Sequence, residues 1–354
     1  MKLGLFGLPK SGKTTLFNAL TKSEAPVSAF NAKAEPNIAI VKVADERIDK
    51  LSSMYNPKKT THATIEIVDV VGITEDSIKQ EAFSGELMRL IRNTDALAIV
   101  VRGFPSDLLG DPKPLEDLKT IEEELLLSDL IIVEKRLEKI RAGYQRGQKN
   151  DTLLSEEKVL QRVLDQLNES RPIRELSFSS EEEGLIRGFQ FLTKKPLIVI
   201  LNTDEDSYGK NGAVLSDMQK GHTAVEFAGN FEMELSRLDE QEAAVFMEDL
   251  GIKESARARL TKMAYDALGY ISFFTVGADE VRAWNVKNGA SAVEAAGAIH
   301  SDLARGFIAA ECFSYQDLVE LGSEKAIKEK GRFHLEGKEY KVQDGDCLSI
   351  RFNV

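Results

Sequence analysis

Eight residues near the N-terminus constrain the fold more than any other segment of this chain. Residues 7–14, Gly-Leu-Pro-Lys-Ser-Gly-Lys-Thr, match the pattern G-x-x-x-x-G-K-[ST] at every fixed position. They follow a predicted strand, residues 2–7, and a predicted helix begins at Lys13. The glycines let successive backbone N–H groups surround a phosphate, and the helix N-terminus adds positive charge. The pattern therefore predicts a phosphate-binding loop (P-loop) in the first strand–helix unit of an α/β domain, and a coincidental glycine turn is strongly disfavoured.

Each part of this loop has an expected role. Lys13 is expected to contact the β- and γ-phosphates, and the hydroxyl of Thr14 to bind Mg²⁺. The residues predicted to line the nucleotide here are Gly7, Leu8, Pro9, Lys10, Ser11, Gly12, Lys13, Thr14 and Thr15. We predict Mg²⁺ as the cofactor.

A second segment, typical of P-loop enzymes, supplies the other expected Mg²⁺ contact. Asp69-Val70-Val71-Gly72 ends a predicted strand, residues 64–69, in the form D-x-x-G. The aspartate of this form approaches Mg²⁺, and the glycine amide senses the γ-phosphate. We therefore predict Thr14 and Asp69 as the metal ligands. The predicted catalytic residues are Lys13, Thr14 and Gly72, and no general base is identified.

A third segment is expected to recognise the purine base of the nucleotide. Asn202-Thr203-Asp204-Glu205 follows the predicted strand 196–201, where many P-loop switch enzymes carry a guanine-reading N-K-x-D motif. Thr203 replaces the lysine and Glu205 the aspartate, so the usual guanine reader is lost. Asn202, Thr203 and Glu205 are predicted to meet the base, together with the backbone of Ala228, Gly229 and Asn230. The pattern predicts a purine nucleoside triphosphate and leaves the choice between ATP and GTP open.

The distribution of apolar residues divides the chain into four segments. Strand-like runs alternate with helical ones in residues 1–113 and 191–267, which predicts one α/β domain in two parts. Between them, apolar residues from Leu126 to Tyr144 recur at steps of four and three, and a second such pattern covers residues 160–167. This predicts an antiparallel helical hairpin within residues 114–190, and ordinary packing is favoured over partner binding for its seam.

The last segment, residues 268–354, is predicted to be a small α+β domain. Residues 271–276, 340–342 and 348–352 are its expected strands, and residues 290–307 are expected to be helical. Trp284 is expected to pack in its core, since that is favoured over stacking on a base.

Composition excludes several classes of protein. No apolar run approaches the roughly 18–20 residues that span a bilayer, and glycines interrupt the N-terminal apolar stretch, so neither a membrane protein nor a signal peptide is expected. Cys312 and Cys347 are too few and too far apart for a disulfide framework or a zinc site, which favours the reducing cytoplasm. The net charge of −12 argues against a general nucleic-acid coat. No DNA partner is expected, while local RNA contact stays open.

Longer segments throughout the chain carry a family resemblance. They are Gly7-Leu8-Pro9, Glu35-Pro36-Asn37, Tyr55-Asn56-Pro57-Lys58-Lys59, residues 124–130, residues 134–139, residues 280–284, Gly306-Phe307-Ile308 and residues 351–354. In these the chain resembles the YchF group of P-loop NTPases, also called Obg-like ATPases, over essentially its whole length. The resemblance implies a Ras-like mixed sheet, an inserted antiparallel coiled-coil hairpin and a C-terminal β-grasp domain of the TGS type. It also implies ATP binding with slow hydrolysis, ATP preferred over GTP through the N-x-x-E motif, and association with ribosomes or RNA.

Three departures from the family pattern predict that the chain is a diverged member of the family. Lys10 stands where the family usually has an asparagine that, in related enzymes, ligates K⁺. We hypothesise that its ammonium replaces that cation and makes hydrolysis independent of K⁺; a lysine pointing to solvent is the alternative. Lys33 replaces a switch I threonine, and Ile73 stands where Ras-like enzymes orient water with a glutamine. Slow intrinsic turnover is expected.

Two classes of function remain at this point. The first is a slow, ATP-preferring hydrolase that acts as a molecular switch, with GTP specificity as its variant. The second is a nucleotide-gated adaptor for ribosome or RNA that no longer hydrolyses nucleotide. A small-molecule kinase is disfavoured, because neither a lid-like arginine cluster nor an acceptor site is evident.

Overall fold

The computed structural model describes residues 1–21, 37–69, 85–238, 240–249 and 254–353. Contacts between Cα atoms divide the chain into two compact units. The first contains Met1–Ala39 and Glu66–Arg257, and the second contains Ile40–Ile65 and Ala258–Val354. The boundaries at residues 113, 190 and 267 that the sequence predicts stay a prediction.

Strands and helices alternate along most of the chain. The strands are β1 Lys2–Phe6, β2 Asn37–Lys42, β3 Lys59–Thr61, β4 Thr64–Asp69, β5 Ala96–Arg102, β6 Leu197–Thr203, β7 Thr223–Ala228, β8 Tyr270–Thr275, β9 Glu280–Lys287, β10 Phe307–Ser314, β11 His334–Glu336 and β12 Asp346–Phe352. The helices are α1 Lys13–Thr21, α2 Glu46–Tyr55, α3 Gly85–Arg92, α4 Pro114–Gln145, α5 Asp151–Asn168, α6 Ser180–Ile186, α7 Gly212–Gln219, α8 Gly229–Arg237, α9 Glu240–Asp249, α10 Ala256–Ala267, α11 Ala292–Ile299, α12 Ser301–Arg305, α13 Tyr315–Leu321 and α14 Glu324–Glu329. In the described part of the chain, no helix is both long and apolar enough to cross a membrane.

The first sheet has the strand order β2-β4-β1-β5-β6-β7. Strand β1 pairs in parallel with β4 and β5, and β5-β6 and β6-β7 are also parallel pairs. Every residue of β5 and β6 is buried, as the continuous apolar runs predict for strands covered on both faces. Because the strands are parallel, the carboxyl ends of β1, β4, β6 and β7 lie at one edge of the sheet. The P-loop, Asp69 and Asn202 all lie at that edge.

Helices α4 and α5 form the predicted hairpin. Its seam buries Val133, Leu137 and Ile140 of α4 together with apolar residues of α5. Asn150 caps α5, because its side chain accepts a hydrogen bond of 2.8 Å from the backbone N–H of Leu153. The prediction of an inserted helical hairpin is confirmed.

A charged pair anchors the middle of α4. Asp129 of α4 is fully buried and accepts a hydrogen bond of 2.8 Å from Nη1 of Arg92, the last residue of α3. Its carboxylate also accepts hydrogen bonds from the backbone N–H groups of Leu192 and Thr193, at 3.0 and 2.8 Å, and from the Thr193 hydroxyl. All of these groups donate to one carboxylate, so the middle of α4 is tied to the segment that returns to the sheet.

The second unit contains a mixed sheet of order β11-β10-β12-β8-β9-β3. One group of buried residues joins α11 to the sheet through Ala292, Ala296, Phe307 and Ala310. Trp284 is partly buried against the core, and its ring stacks on Phe273 with the centroids 6.5 Å apart. The prediction of an α+β segment after residue 268 is confirmed.

Two details of this unit differ from the sequence-based expectation, and part of the unit comes from earlier in the chain. Residues 340–342 are not a strand, and Lys341 forms only an isolated bridge with Ser291. Residues 290–307 contain two short helices, because the chain turns at His300, which is extended. Residues 40–65 belong to this unit, with β3 pairing in parallel with β9. Within the unit, Arg47 of α2 donates to Asp344 at 2.7 Å.

Candidate functional site

The P-loop connects β1 to α1, and two of its glycines are required by the space around them. A Cβ atom at Gly7 would lie 2.3 Å from the backbone oxygen of Val100. Gly12 has a φ of 92°, a left-handed conformation, and a Cβ atom there would lie 2.0 Å from Nδ2 of Asn202. The fixed glycines of the motif therefore let the loop pass close to β5 and β6.

Lys13 is buried at the start of α1, with its ammonium turned back over the loop. Nζ donates hydrogen bonds to the backbone oxygens of Gly7 and Leu8, at 3.0 and 2.8 Å. Burial lowers the pKa of Lys13 to about 8, and the negative charge of Asp69 partly opposes that shift. This buried ammonium is suited to binding an anion, because charged phosphate oxygens accept stronger hydrogen bonds from it than neutral carbonyls do.

Asp69, the last residue of β4, is fully buried beside Thr14. Its Oδ2 atom accepts hydrogen bonds from the Thr14 hydroxyl at 3.2 Å and from Nδ2 of Asn37 at 3.4 Å. Its Oδ1 atom is buried and has no hydrogen-bond partner among the described residues. Burial raises the pKa of Asp69, although Lys13 and these two hydrogen bonds lower it. A carboxylate with an unsatisfied oxygen next to a hydroxyl is an oxygen donor set of the kind that Mg²⁺ takes, so these residues fit the ion.

Asn202 joins the P-loop to the start of α8. Its Nδ2 atom donates to the backbone oxygen of Ser11 at 2.9 Å, and its Oδ1 atom accepts from the backbone N–H of Gly229 at 3.1 Å. A Cβ atom at Gly229 would lie 2.8 Å from that same Oδ1. Both polar ends of the buried amide are thus held by backbone groups.

The neighbouring residues predicted to meet the base differ in exposure. Thr203 is buried, and its hydroxyl donates to the backbone oxygen of Phe227 at 3.4 Å. Ala228 is also buried, whereas Glu205 and Asn230 are exposed. Of the side chains in the N-T-D-E segment, Glu205 is therefore the one left facing solvent.

The remaining predicted residues fall into two groups. Leu8, Pro9, Thr14 and Thr15 are half-buried, Ser11 is buried, and Lys10 is exposed in a left-handed conformation with a φ of 61°. Gly72, Lys33 and Ile73 lie outside the described residues.

Sequence reasoning missed one residue of this site, Asn37. It lies at the start of β2 and contacts the carboxylate of Asp69. Glu35-Pro36-Asn37 contributed to the family resemblance, but nothing in its spacing indicated a contact with the predicted metal ligand.

Comparisons with known proteins cover the whole chain. The family described as 50S ribosome-binding GTPase matches residues 2–136, and the YchF GTPase C-terminal family, described as a protein of unknown function, matches residues 270–353. The ribosome-binding ATPase YchF of Bacillus subtilis (strain 168) is 38% identical over 363 residues, which cover 99% of each chain. The protein of that name from Escherichia coli O157:H7 is 36% identical, over 100% of this chain and 99% of its own.

A solved structure agrees with these sequence matches. The Schizosaccharomyces pombe YchF GTPase superposes with a TM-score of 0.87 at 32% identity, over 99% of this chain and 97% of that one. With the P-loop, the helical hairpin and the C-terminal unit all matched, the chain belongs to the YchF family.

Proposed function

We propose that this protein binds Mg²⁺ and a purine nucleoside triphosphate at the P-loop, hydrolyses it slowly, and acts as a ribosome-associated molecular switch. The observation that carries the proposal is the group formed by Lys13, Thr14 and Asp69: a buried ammonium, a hydroxyl and a carboxylate with one unsatisfied oxygen. The names of the bacterial relatives, ribosome-binding ATPases, support the choice of partner and reaction.

The chemistry follows from these side chains. Lys13 exchanges its two carbonyl acceptors for β- and γ-phosphate oxygens, which stabilises the charge on the transferred group. Thr14 and Asp69 would hold Mg²⁺, which supplies further positive charge to the same phosphates. Gly72, by the D-x-x-G pattern, is proposed to sense the γ-phosphate through its amide. Slow turnover is proposed from the sequence, because Ile73 stands where Ras-like enzymes carry the glutamine that orients the attacking water.

We propose that the site prefers adenine over guanine as the purine base, and therefore ATP over GTP. Guanine recognition in N-K-x-D motifs depends on an aspartate at the position of Glu205, which is exposed two residues after β6 ends. The backbone of Ala228, Gly229 and Asn230 would meet the same base. GTP specificity is the alternative, and it requires Glu205 to accept hydrogen bonds from guanine as the shorter aspartate does.

The proposed function also implies a cellular location. Ribosome association implies the cytoplasm, and Cys312 and Cys347 are free and buried, as suits a reducing environment.

The experiment that tests the nucleotide part is a competition titration. Fluorescent ATP is bound to the protein in Mg²⁺ and displaced with unlabelled ATP or GTP, and single-turnover hydrolysis of each is then followed. We expect tighter ATP binding and slow hydrolysis, both lost in EDTA and in Thr14→Ala but retained in the matched control Thr120→Ala. Binding without single-turnover hydrolysis would instead indicate the adaptor function, and tighter GTP binding would contradict the preference for ATP.

Lys10 has its own test. If its ammonium takes the place of a monovalent cation, hydrolysis rates are equal in NaCl and KCl. Marked stimulation by K⁺ would contradict this role for Lys10.

A further inference from the structure

The loop after β5, residues 103–113, is held in place by one buried arginine. Arg102 is 7% exposed. Its Nη1 atom donates to the backbone oxygens of Phe104 and Gly110, at 2.6 and 2.8 Å, and its Nη2 atom donates to that of Asp111 at 3.1 Å. Ser106 and Gly110 also exchange two backbone hydrogen bonds of 3.1 and 2.7 Å. The loop is therefore fixed both at its base and across its tip.

This fixed tip carries two exposed leucines. Leu108 is 76% exposed and Leu109 is 45% exposed, and both lie between the bridged residues Ser106 and Gly110. Single exposed leucines are common on protein surfaces and need no explanation. Two consecutive exposed leucines on an ordered tip are better suited to binding than single ones, because little conformational entropy of the loop is lost when a partner buries them.

The charges around the tip are negative. Asp107 precedes the leucines and Asp111 follows them, and the side chains of both are exposed with no ion-pair partner among the described residues. The lysine of the loop, Lys113, is already paired with Glu116 at 3.0 Å. A surface of this kind repels the phosphates of RNA and complements a protein groove with basic residues around it.

We propose that this leucine tip, residues 106–110, docks into an apolar groove with a basic rim on a protein partner. The inference rests on the proposed ribosome association, and it identifies that partner as a ribosomal protein rather than ribosomal RNA. The tip acts as a preformed anchor, with Leu108 and Leu109 supplying apolar contact and the two aspartates supplying charge complementarity.

The test measures binding of the full-length protein to purified ribosomes by co-sedimentation. Leu108→Ala/Leu109→Ala removes the apolar anchor, and Leu127→Ala/Ile131→Ala, on exposed residues of α4, is the matched control. We expect the tip variant to bind at least about tenfold more weakly than wild type, and the control to bind within about twofold. Both variants should keep wild-type affinity for fluorescent ATP, which shows that the nucleotide domain is folded.

The outcomes separate the two proposals. If wild type binds ribosomes and the tip variant binds as well as the control does, the docking inference is wrong while the proposed function stands. If wild type itself does not bind, in ATP or without nucleotide, the docking inference and the proposed ribosome association are both wrong, while nucleotide binding and hydrolysis are decided by the titration above.

A cross-link identifies the partner class. With the photoreactive amino acid p-benzoylphenylalanine at position 108 and purified ribosomes, we expect adducts on ribosomal protein. Adducts confined to ribosomal RNA would overturn the assignment of a protein partner. Reversing the charges with Asp107→Lys/Asp111→Lys should weaken binding, most strongly at low salt, and a gain in affinity would likewise overturn it.

Discussion

The side chain of Asn202 occupies the space that a Cβ atom at Gly12 would need, since such an atom would lie 2.0 Å from Nδ2 of the amide. The same amide is bonded to the P-loop on one side and to α8 on the other. The shape of the phosphate-binding loop is therefore coupled to the residue that begins the N-T-D-E segment.

Gly12→Ala should disrupt nucleotide binding. The added methyl group meets Asn202, and alanine is strained at a φ of 92°, so the loop must shift away from its phosphate-binding form. We expect fluorescent ATP affinity to fall by at least about tenfold, a loss of about 1.4 kcal/mol. Gly184→Ala in α6, where a Cβ atom meets nothing within 4 Å, is the control and should leave the affinity unchanged.

Asn202→Ala should weaken ATP and GTP binding by similar factors. Both polar ends of this side chain are bonded to backbone, so its loss affects the loop rather than the choice of base. The unpaired carbonyl of Ser11 and N–H of Gly229 should also lower the free energy of unfolding by about 2 kcal/mol. A variant that lost affinity for ATP alone would show that Asn202 reads the base directly.

Asp129→Asn should destabilise the first unit strongly. An amide cannot accept all the hydrogen bonds that reach this carboxylate, and the charge of Arg92 loses its buried partner. We expect the free energy of unfolding to fall by about 3–5 kcal/mol, measured by urea unfolding followed by far-UV circular dichroism. Asp165→Asn, on the exposed surface of α5, should change it by less than about 0.5 kcal/mol.

Alkaline pH should destabilise the second unit. Burial raises the pKa of two thiols and three phenols in this unit. For the Cys312 thiol the pKa rises to about 12. The other groups with a raised pKa are Tyr55, Tyr265, Tyr340 and Cys347. Above about pH 9 the unfolded chain loses these protons while the folded chain keeps them, so stability falls as pH rises. For the buried thiol of Cys347, the retained proton contributes about 1.4 kcal/mol per pH unit.

The single tryptophan of the chain makes this measurable. Trp284 lies in the second unit, so its fluorescence during urea unfolding follows that unit. We expect the urea midpoint to drop steadily between about pH 9 and 11, and the drop to be smaller in Cys347→Ala. A midpoint that stays constant or rises over this range would show that these groups do not carry the effect.

Features with a local signal could be predicted from the sequence. The P-loop is a contiguous motif, β5 and β6 are continuous apolar runs, and the hairpin has a regular apolar spacing. Each pattern reflects the burial of neighbouring residues, so it is visible without knowledge of distant partners.

Features that depend on distant pairing could not be predicted in this way. Strand β3 is only three polar residues, and its pairing of Lys59 with Glu280 spans most of the chain. The partners of Asp129 lie both before and after it, in segments with no shared pattern. In the site, the sequence predicted that Asn202 contacts the purine base. Its hydrogen bonds with the backbone of Ser11 and Gly229 could be seen only in the folded structure.

The central claim is that Lys13 serves a nucleotide-hydrolysing site, and single-turnover hydrolysis of ATP in Mg²⁺ tests it most directly. Wild type should release phosphate slowly, Lys13→Ala should release none above the uncatalysed rate, and Lys139→Ala, exposed on α4, should match wild type. Equal phosphate release by wild type and Lys13→Ala would contradict the account.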